Sequence, residues 1–87
     1  MKLWQVLIIG EGFRLADETR RFELTGIVEA VGANDAFSKA CELAMRVHPE
    51  LAQATGPFPR PVINADEIQE IQRRDDIEVD TVELEWV

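Results

Sequence analysis

Cys41 and His48 are the only thiol and the only imidazole of the chain, and they lie seven residues apart in a stretch with helical spacing. A thiol next to an imidazole can act as a nucleophile with its base. Two helical turns separate these residues by roughly 10 Å along the axis, too far for a hydrogen bond within one helix. We therefore expect Cys41 to be a small core residue and His48 a helix-end residue whose charge suits the helix dipole.

Gly10 and Gly12 follow an apolar stretch and superficially resemble the start of a nucleotide-binding loop. The dinucleotide fingerprint needs a third glycine, but Leu15 stands at that position, and no βαβ unit of the required length follows. We interpret the two glycines as residues that turn the chain. The sequence predicts no cofactor.

A dense run of carboxylates lies near the C-terminus. An EF-hand calcium loop needs a glycine and a terminal glutamate at fixed offsets, which this run lacks, and a single cysteine provides no paired-cysteine metal motif. We predict a solvated turn that leads into a strand, with no metal site and no assignable catalytic acid pair. The run comprises Asp75, Asp76, Glu78 and Asp80, and Glu83 and Glu85 follow it.

The negative charge is concentrated in the C-terminal part of the chain. The 87 residues have a net charge of −8. Residues 1–48 contain six Lys/Arg and seven Asp/Glu, a net −1, whereas residues 49–87 contain three and ten, a net −7. Phosphate backbones bind through Lys and Arg, so direct DNA or RNA binding is disfavoured and a basic protein is the favoured partner. The simpler interpretation is that the charge keeps a small domain soluble.

The first predicted element is a strand from Lys2 to Ile9, because this stretch is short, rich in aliphatic residues and closed by a glycine. Its two faces are both apolar. Such a strand lies in a sheet covered on both sides, either by the chain itself or by a partner molecule. In so short a chain we favour a partner. Trp4, Val6 and Ile8 share one face, opposite Leu3, Leu7 and Ile9.

Residues 10–21 are polar and begin with glycine, which predicts a long, mobile hairpin loop. The following stretch, 22–31, alternates between apolar and polar residues and predicts a second strand, antiparallel to the first, with one buried side. The buried side begins at Phe22 and Leu24 and continues to Val28.

A helix is predicted next, with Asn34 as its N-cap and Asp35 in the first turn. Its apolar stripe should pack on the Phe22, Leu24 and Val28 side of the sheet. Pro49 should end this helix or begin a short extra turn over residues 50–54. The stripe consists of Phe37, Ala40, Cys41, Ala44, Met45 and His48.

Residues 56–61 have prolines at alternate positions and predict a stiff, extended connector. Phe58, between two of these prolines, could be an exposed anchor for a partner, although a plain linker is the simpler interpretation.

Residues 62–74 are ambiguous. Asn64 and Glu67 form a capping-box pattern, and basic residues follow at the end, so we favour a short helix. The alternative is an edge strand from Val62 to Ile71, which would give a ββαββ order.

The last segment, Ile77 to Val87, alternates as a strand but changes phase midway, which predicts a bulge or bend near Asp80 and Thr81. The fold class is therefore α+β, a small antiparallel sheet of three or four strands against one main helix, in the order β-β-α-(α or β)-β. Apolar residues at 46% and charged residues at 30% are typical of one globular domain, residues 1–87.

These features favour a small acidic protein-interaction module without catalysis: an inhibitor, immunity or adaptor protein acting on a basic surface, or a homodimer. Nucleic-acid mimicry is one specific form of this hypothesis. Two alternatives stay open: an enzyme or small-molecule-binding domain with a site shared between protomers, using for example His48, Cys41 or Arg14, and an accessory subunit of a larger complex. The binding residues predicted from the sequence are Trp4, Phe58, Asp75, Asp76, Glu78, Asp80, Glu83 and Glu85.

The apolar start of the chain ends at Ile9, too short to span a membrane and without a signal-peptide cleavage region. The sequence therefore predicts a cytoplasmic protein in a bacterial-type setting, without a membrane partner.

Overall fold

The computed structural model describes residues 1–87 and contains four strands and one main helix. All neighbouring strands are antiparallel, and their order across the sheet is β3-β1-β2-β4. The predicted α+β class is confirmed, with the order ββαββ. In chain order the elements are β1 (Lys2–Leu15), β2 (Glu18–Ala30), α1 (Ala33–Val47), a 3₁₀ helix (Pro49–Thr55), β3 (Val62–Ile71) and β4 (Thr81–Trp86).

The predicted loop at residues 10–21 is wrong, because β1 and β2 continue through it. They meet at a tight turn in which Ala16 and Asp17 have φ of 49° and 66°. Two consecutive positive φ angles match the twist of a hairpin. The register shifts between Gly10 and Phe13, and Gly12 has a φ of 82° there, so the polar stretch contains a bulge instead of a loop. We name residues 10–21 the outer hairpin. Phe13 is fully buried and fixes the outer hairpin to the core.

The core lies between the sheet and α1, on the predicted side of β2. Three alanines of α1, Ala36, Ala40 and Ala44, are completely buried, and their small side chains allow the helix to lie close to the strands. At the far end of the sheet, three aromatic rings pack with centroids 5.2 to 5.9 Å apart in tilted and edge-to-face arrangements, namely Phe13, Phe22 and Trp86.

The N-terminus of α1 differs from the prediction, whereas its C-terminus agrees with it. Gly32 is the N-cap, without a side-chain hydrogen bond, so Asn34 lies inside the first turn and does not cap. The helix starts earlier because the chain leaves β2 at Ala30 and turns at once. At the other end, Pro49 begins the short 3₁₀ helix, the second of the two predicted alternatives.

The helix favoured for residues 62–74 is wrong, and the alternative strand is present as β3. A helix here would bury only two isoleucines. As a strand along the free edge of β1, the segment places Ile63 and Ile68 against the core and gains a ladder of backbone hydrogen bonds. Asn64 and Glu67, the predicted capping box, are exposed strand residues.

The predicted C-terminal strand is shorter than expected. It begins at Thr81, directly after Asp80, whose φ of 59° makes the predicted bend. Ile77 and Val79 are therefore outside the sheet. They belong to residues 72–80, here named the crossing segment, which connects β3 at one edge of the sheet to β4 at the other.

Neither helix has the length and the apolar character that crossing a lipid bilayer requires.

Candidate protein-interaction surface

The face of the sheet opposite α1 has no helix packed on it. Strand pairing places its side chains in rows across the four strands. In one row Leu7 lies between Glu67 and Thr25, and Thr25 pairs with Glu83 on β4. In the next row Ile9 lies between Asn64 and Glu23, and Glu23 pairs with Glu85. We name the two rows together the acidic face; its defining members are Leu7, Ile9, Glu23, Glu67, Glu83 and Glu85.

The glutamates of the acidic face are exposed, and none forms an ion pair with a lysine or arginine of the chain. Glu23 and Glu85 are direct partners on neighbouring strands. Like charges at such a position repel each other, since their Cβ atoms are about 5 Å apart. Arg21, two residues before Glu23 on β2, also forms no ion pair. The face therefore presents four glutamates without an ion pair beside two half-buried aliphatic side chains, with one arginine, Arg21, two residues from Glu23 on β2.

The crossing segment covers the other end of the same face. Its Arg73 donates a hydrogen bond to the carboxylate of Glu29, and its Ile77 lies near Gln5 and Ile27. Leu3, in the same row as Glu29, is only 2% exposed although it does not belong to the core beneath α1. The chain itself thus covers part of the second apolar face of β1, whereas the sequence favoured a partner for that task.

Asp80 fixes the C-terminal end of the crossing segment. Its carboxylate accepts a hydrogen bond from the Glu29 N–H at 3.1 Å and lies 2.9 Å from the Lys39 ammonium group of α1. Partial burial by itself would raise the pKa of Asp80, but the hydrogen bonds from Lys39 and from the Glu29 N–H, with the positive charge of Lys39, lower it. Asp80 is therefore a structural tether. Lys39 of α1 completes it.

A shallow groove of about 380 Å³ lies between the crossing segment and the acidic face. Polar side chains of the sheet, including Gln5 and Thr25, line its floor. Three carboxylates line it from both sides, namely Asp76, Glu78 and Glu83.

The structure brings together some of the binding residues predicted from the sequence and separates others. Glu83 and Glu85 lie on the acidic face, and Asp75, Asp76 and Glu78 are exposed beside it in the crossing segment. Trp4 is half-buried on the opposite face, and its indole N–H donates to the Ala30 carbonyl at 3.0 Å.

Phe58 lies in the loop before β3 and is 87% exposed, as expected for an anchor or for a plain linker. The 3₁₀ helix that precedes it has Gly56 as its C-cap, and the peptide bond between Phe58 and Pro59 is cis. Neither Phe58 nor Trp4 lines the groove beside the acidic face.

Cys41, His48 and Arg14 are the residues suggested for an enzymatic or ligand-binding site, and the structure shows the surroundings of each. Burial raises the pKa of the Cys41 thiol to about 11. His48 lies with its Nδ1 3.4 Å from a carboxylate oxygen of Glu50. The backbone of Arg14 exchanges two hydrogen bonds of 2.9 Å with the side-chain amide of Gln53, which fixes the outer hairpin to the 3₁₀ helix.

No three His, Cys, Asp or Glu side chains of the chain are grouped so that they could hold a metal ion. Comparison with known proteins found no matching family model, no matching curated protein and no matching solved structure.

Sequence reasoning missed Glu23 and Glu67 as members of the site. Glu23 lies in the alternating stretch 22–31 that predicted the second strand, and Glu67 was assigned to a helix. Their grouping with Glu83 and Glu85 depends on which strands are neighbours, and β2 meets β4 although 50 residues separate the ends of these two strands. Alternation on β2 was the one signal in the sequence that could have indicated Glu23.

Proposed function

We propose that this protein is a non-catalytic interaction module that binds a basic protein surface through the acidic face. The observation that carries the proposal is the direct pairing of Glu23 with Glu85, next to Glu83, where none of the three glutamates forms an ion pair. A cationic partner would relieve the repulsion between these carboxylates, and the complementary charge would speed its association.

The aliphatic side chains of the face support this proposal. Leu7 and Ile9 lie half-buried within the rows, on β1, which is one of the two inner strands of the sheet. A partner that covers them would add hydrophobic stabilisation at the centre of the contact, and the glutamates would form its polar rim.

Edge pairing is a less suitable mode of binding for this sheet. The outer strand β3 has a register irregularity between the residues that pair with Leu7 and Ile8, and Asp66, Glu67 and Glu70 are exposed on it. Bulges and charges are the devices by which edge strands avoid pairing with other chains. We therefore place the interface on the face and not on the β3 edge.

The test is affinity capture of proteins from the native host, with the wild-type chain and a triple variant, Glu23→Gln, Glu83→Gln and Glu85→Gln. We expect at least one basic protein to bind the wild type and to be lost from the variant, with retention that falls steeply as salt is raised.

A second triple variant is the matched control, because it removes the same charge from the outer hairpin: Glu11→Gln, Asp17→Asn and Glu18→Gln. It should retain the same partner. If both triple variants capture the same proteins as the wild type, the acidic face has no binding function and the charge serves solubility alone.

A further inference from the structure

The sheet contains the same two-residue combination twice on its open face: an aliphatic residue of β1 directly opposite a glutamate of β2. Leu3 is paired with Glu29, and Ile9 is paired with Glu23. The two pairs are six residues apart on β1, roughly 20 Å along the strand. They therefore lie at opposite ends of the face.

The first pair is occupied by the chain itself. Arg73 of the crossing segment binds the Glu29 carboxylate, and Leu3 is almost completely buried. Four residues later, Ile77 lines a shallow cavity together with Ile27 and Gln5 of the adjoining row. Between these two residues the segment makes a turn, in which the Ile77 N–H donates to the Arg74 carbonyl at 3.3 Å. The occupant is thus an irregular segment, neither helix nor strand, with an arginine and an aliphatic residue.

The second pair has the same chemistry and no occupant from the chain. Ile9 is half-buried, and Glu23 is exposed without an ion pair. Glu85 lies opposite Glu23 on β4 and provides a second carboxylate for the planar guanidinium of an arginine.

We infer that the Ile9 and Glu23 pair is a docking site for an irregular basic segment of the partner, in which an arginine binds Glu23 and Glu85 and an aliphatic side chain covers Ile9. This inference rests on the proposed function and specifies the partner's chemistry. The contact between Arg73 and Glu29 within the chain is the structural precedent for the arginine contact. The carboxylates of Glu23 and Glu85, which form no ion pair, provide the charge complementarity.

The experiment is an NMR titration of the isotopically labelled full chain with a synthetic peptide, Gln-Arg-Arg-Ser-Ser-Ile-Gln. This peptide copies residues 72–78 of the chain with the three acids replaced by neutral side chains. One ion pair and one aliphatic contact should give a Kd of about 1 mM, so the titration extends to about 5 mM. We expect shift changes centred on Ile9, Glu23 and Glu85.

Two control peptides and two protein variants test the recognition. A peptide with serine in place of isoleucine, or one with lysines in place of both arginines, should bind several-fold more weakly. Glu23→Gln should weaken binding of the original peptide about tenfold. Asp17→Asn, at the hairpin turn, should not change it. The spectra of both variants show directly whether they are folded.

Several results would overturn the inference. Equal binding of all three peptides would mean that only net charge is recognised. Shift changes confined to Leu3 and Glu29 would mean that the peptide competes with the crossing segment. The absence of any shift at about 5 mM would exclude the site. In each of these cases a host partner lost in the triple variant would leave the proposed function standing, whereas no such partner would remove both.

Discussion

Gly26 allows β4 to lie close to β2 and so to complete the acidic face. A Cβ atom at this position would be 2.4 Å from the Thr81 carbonyl oxygen and 2.7 Å from a methyl carbon of Val82. The contact is with backbone, so β4 would have to move. We expect Gly26→Ala to lower the free energy of unfolding by about 1 to 3 kcal/mol, measured by urea denaturation.

Gly32→Ala is the matched control, since a Cβ there meets no atom within 4 Å. Its effect should stay below about 1 kcal/mol, the cost of a poorer N-cap. Equal stability of the two variants would show that β4 does not need the close approach.

Cys41 should be an unreactive thiol in the folded protein. Burial raises its pKa to about 11, so the thiolate that reacts with alkylating agents is scarce near pH 8. We expect alkylation of the native chain at pH 8 to be at least about tenfold slower than alkylation in urea, monitored by mass spectrometry. Rapid modification of the native protein would contradict this and would revive the alternative of a nucleophilic site.

At the scale of elements, the crossing segment depends on the tether between Asp80 and Lys39. The pKa of Asp80 is lowered in the folded protein, so the carboxylate stabilises the fold above its unfolded pKa of about 4, and this contribution is lost as the pH falls through the folded value. Asp80→Asn should therefore reduce stability at pH 7 by up to about 1 kcal/mol, since the pair is partly exposed. The difference from the wild type should be smaller at about pH 2 than at pH 7, because the Asp80 carboxylate loses its charge as the pH falls towards and through its lowered pKa.

Urea denaturation of both proteins at the two pH values measures this difference. Asp76→Asn is the control, because its ion pair with Arg74 is 3.5 Å long and exposed. It should have no measurable effect at either pH. A pH-independent loss in Asp80→Asn would show that hydrogen bonding to the Glu29 N–H, and not charge, holds the segment.

The elements also show what the sequence could and could not predict. Periodicity predicted the first strand, the inner part of β2 and the helix, because each has an apolar face that the core requires. It failed for β3, where Ile63 and Ile68 are too few to distinguish a strand from a helix, and the free edge of β1 decided the outcome. It failed for the outer hairpin because polar residues on exposed strand positions are indistinguishable from a loop.

The acidic face lay beyond prediction for a related reason. Glu83 and Glu85 were selected for their charge alone, and their association with Glu23 follows from the pairing of β2 with β4. Trp4 was selected as an apolar residue of a two-faced strand, yet its side chain lies on the helix side and bonds to Ala30.

At the scale of the whole molecule, the charge distribution determines how the chain can associate with itself. In a two-fold symmetric dimer the same patch of both copies meets. A dimer through the acidic face would bring Glu23, Glu83 and Glu85 against their own copies, and like charges in an interface cost several kcal/mol. The homodimer predicted from the first strand stays a prediction, and we place any such dimer on a different surface.

Sedimentation velocity distinguishes a dimer through the acidic face from a dimer through a different surface. The triple variant Glu23→Gln, Glu83→Gln, Glu85→Gln should associate as much as the wild type or more, because it lacks the repulsion. Raising the salt shortens the screening length from about 10 Å at 0.1 M to about 3 Å at 1 M, which should favour self-association through the face and weaken binding of a basic partner. Salt should therefore change self-association through the face and binding of a basic partner in opposite directions, which separates these two modes of binding. A wild-type dimer that the triple variant abolishes would show that the acidic face binds a second copy of the chain.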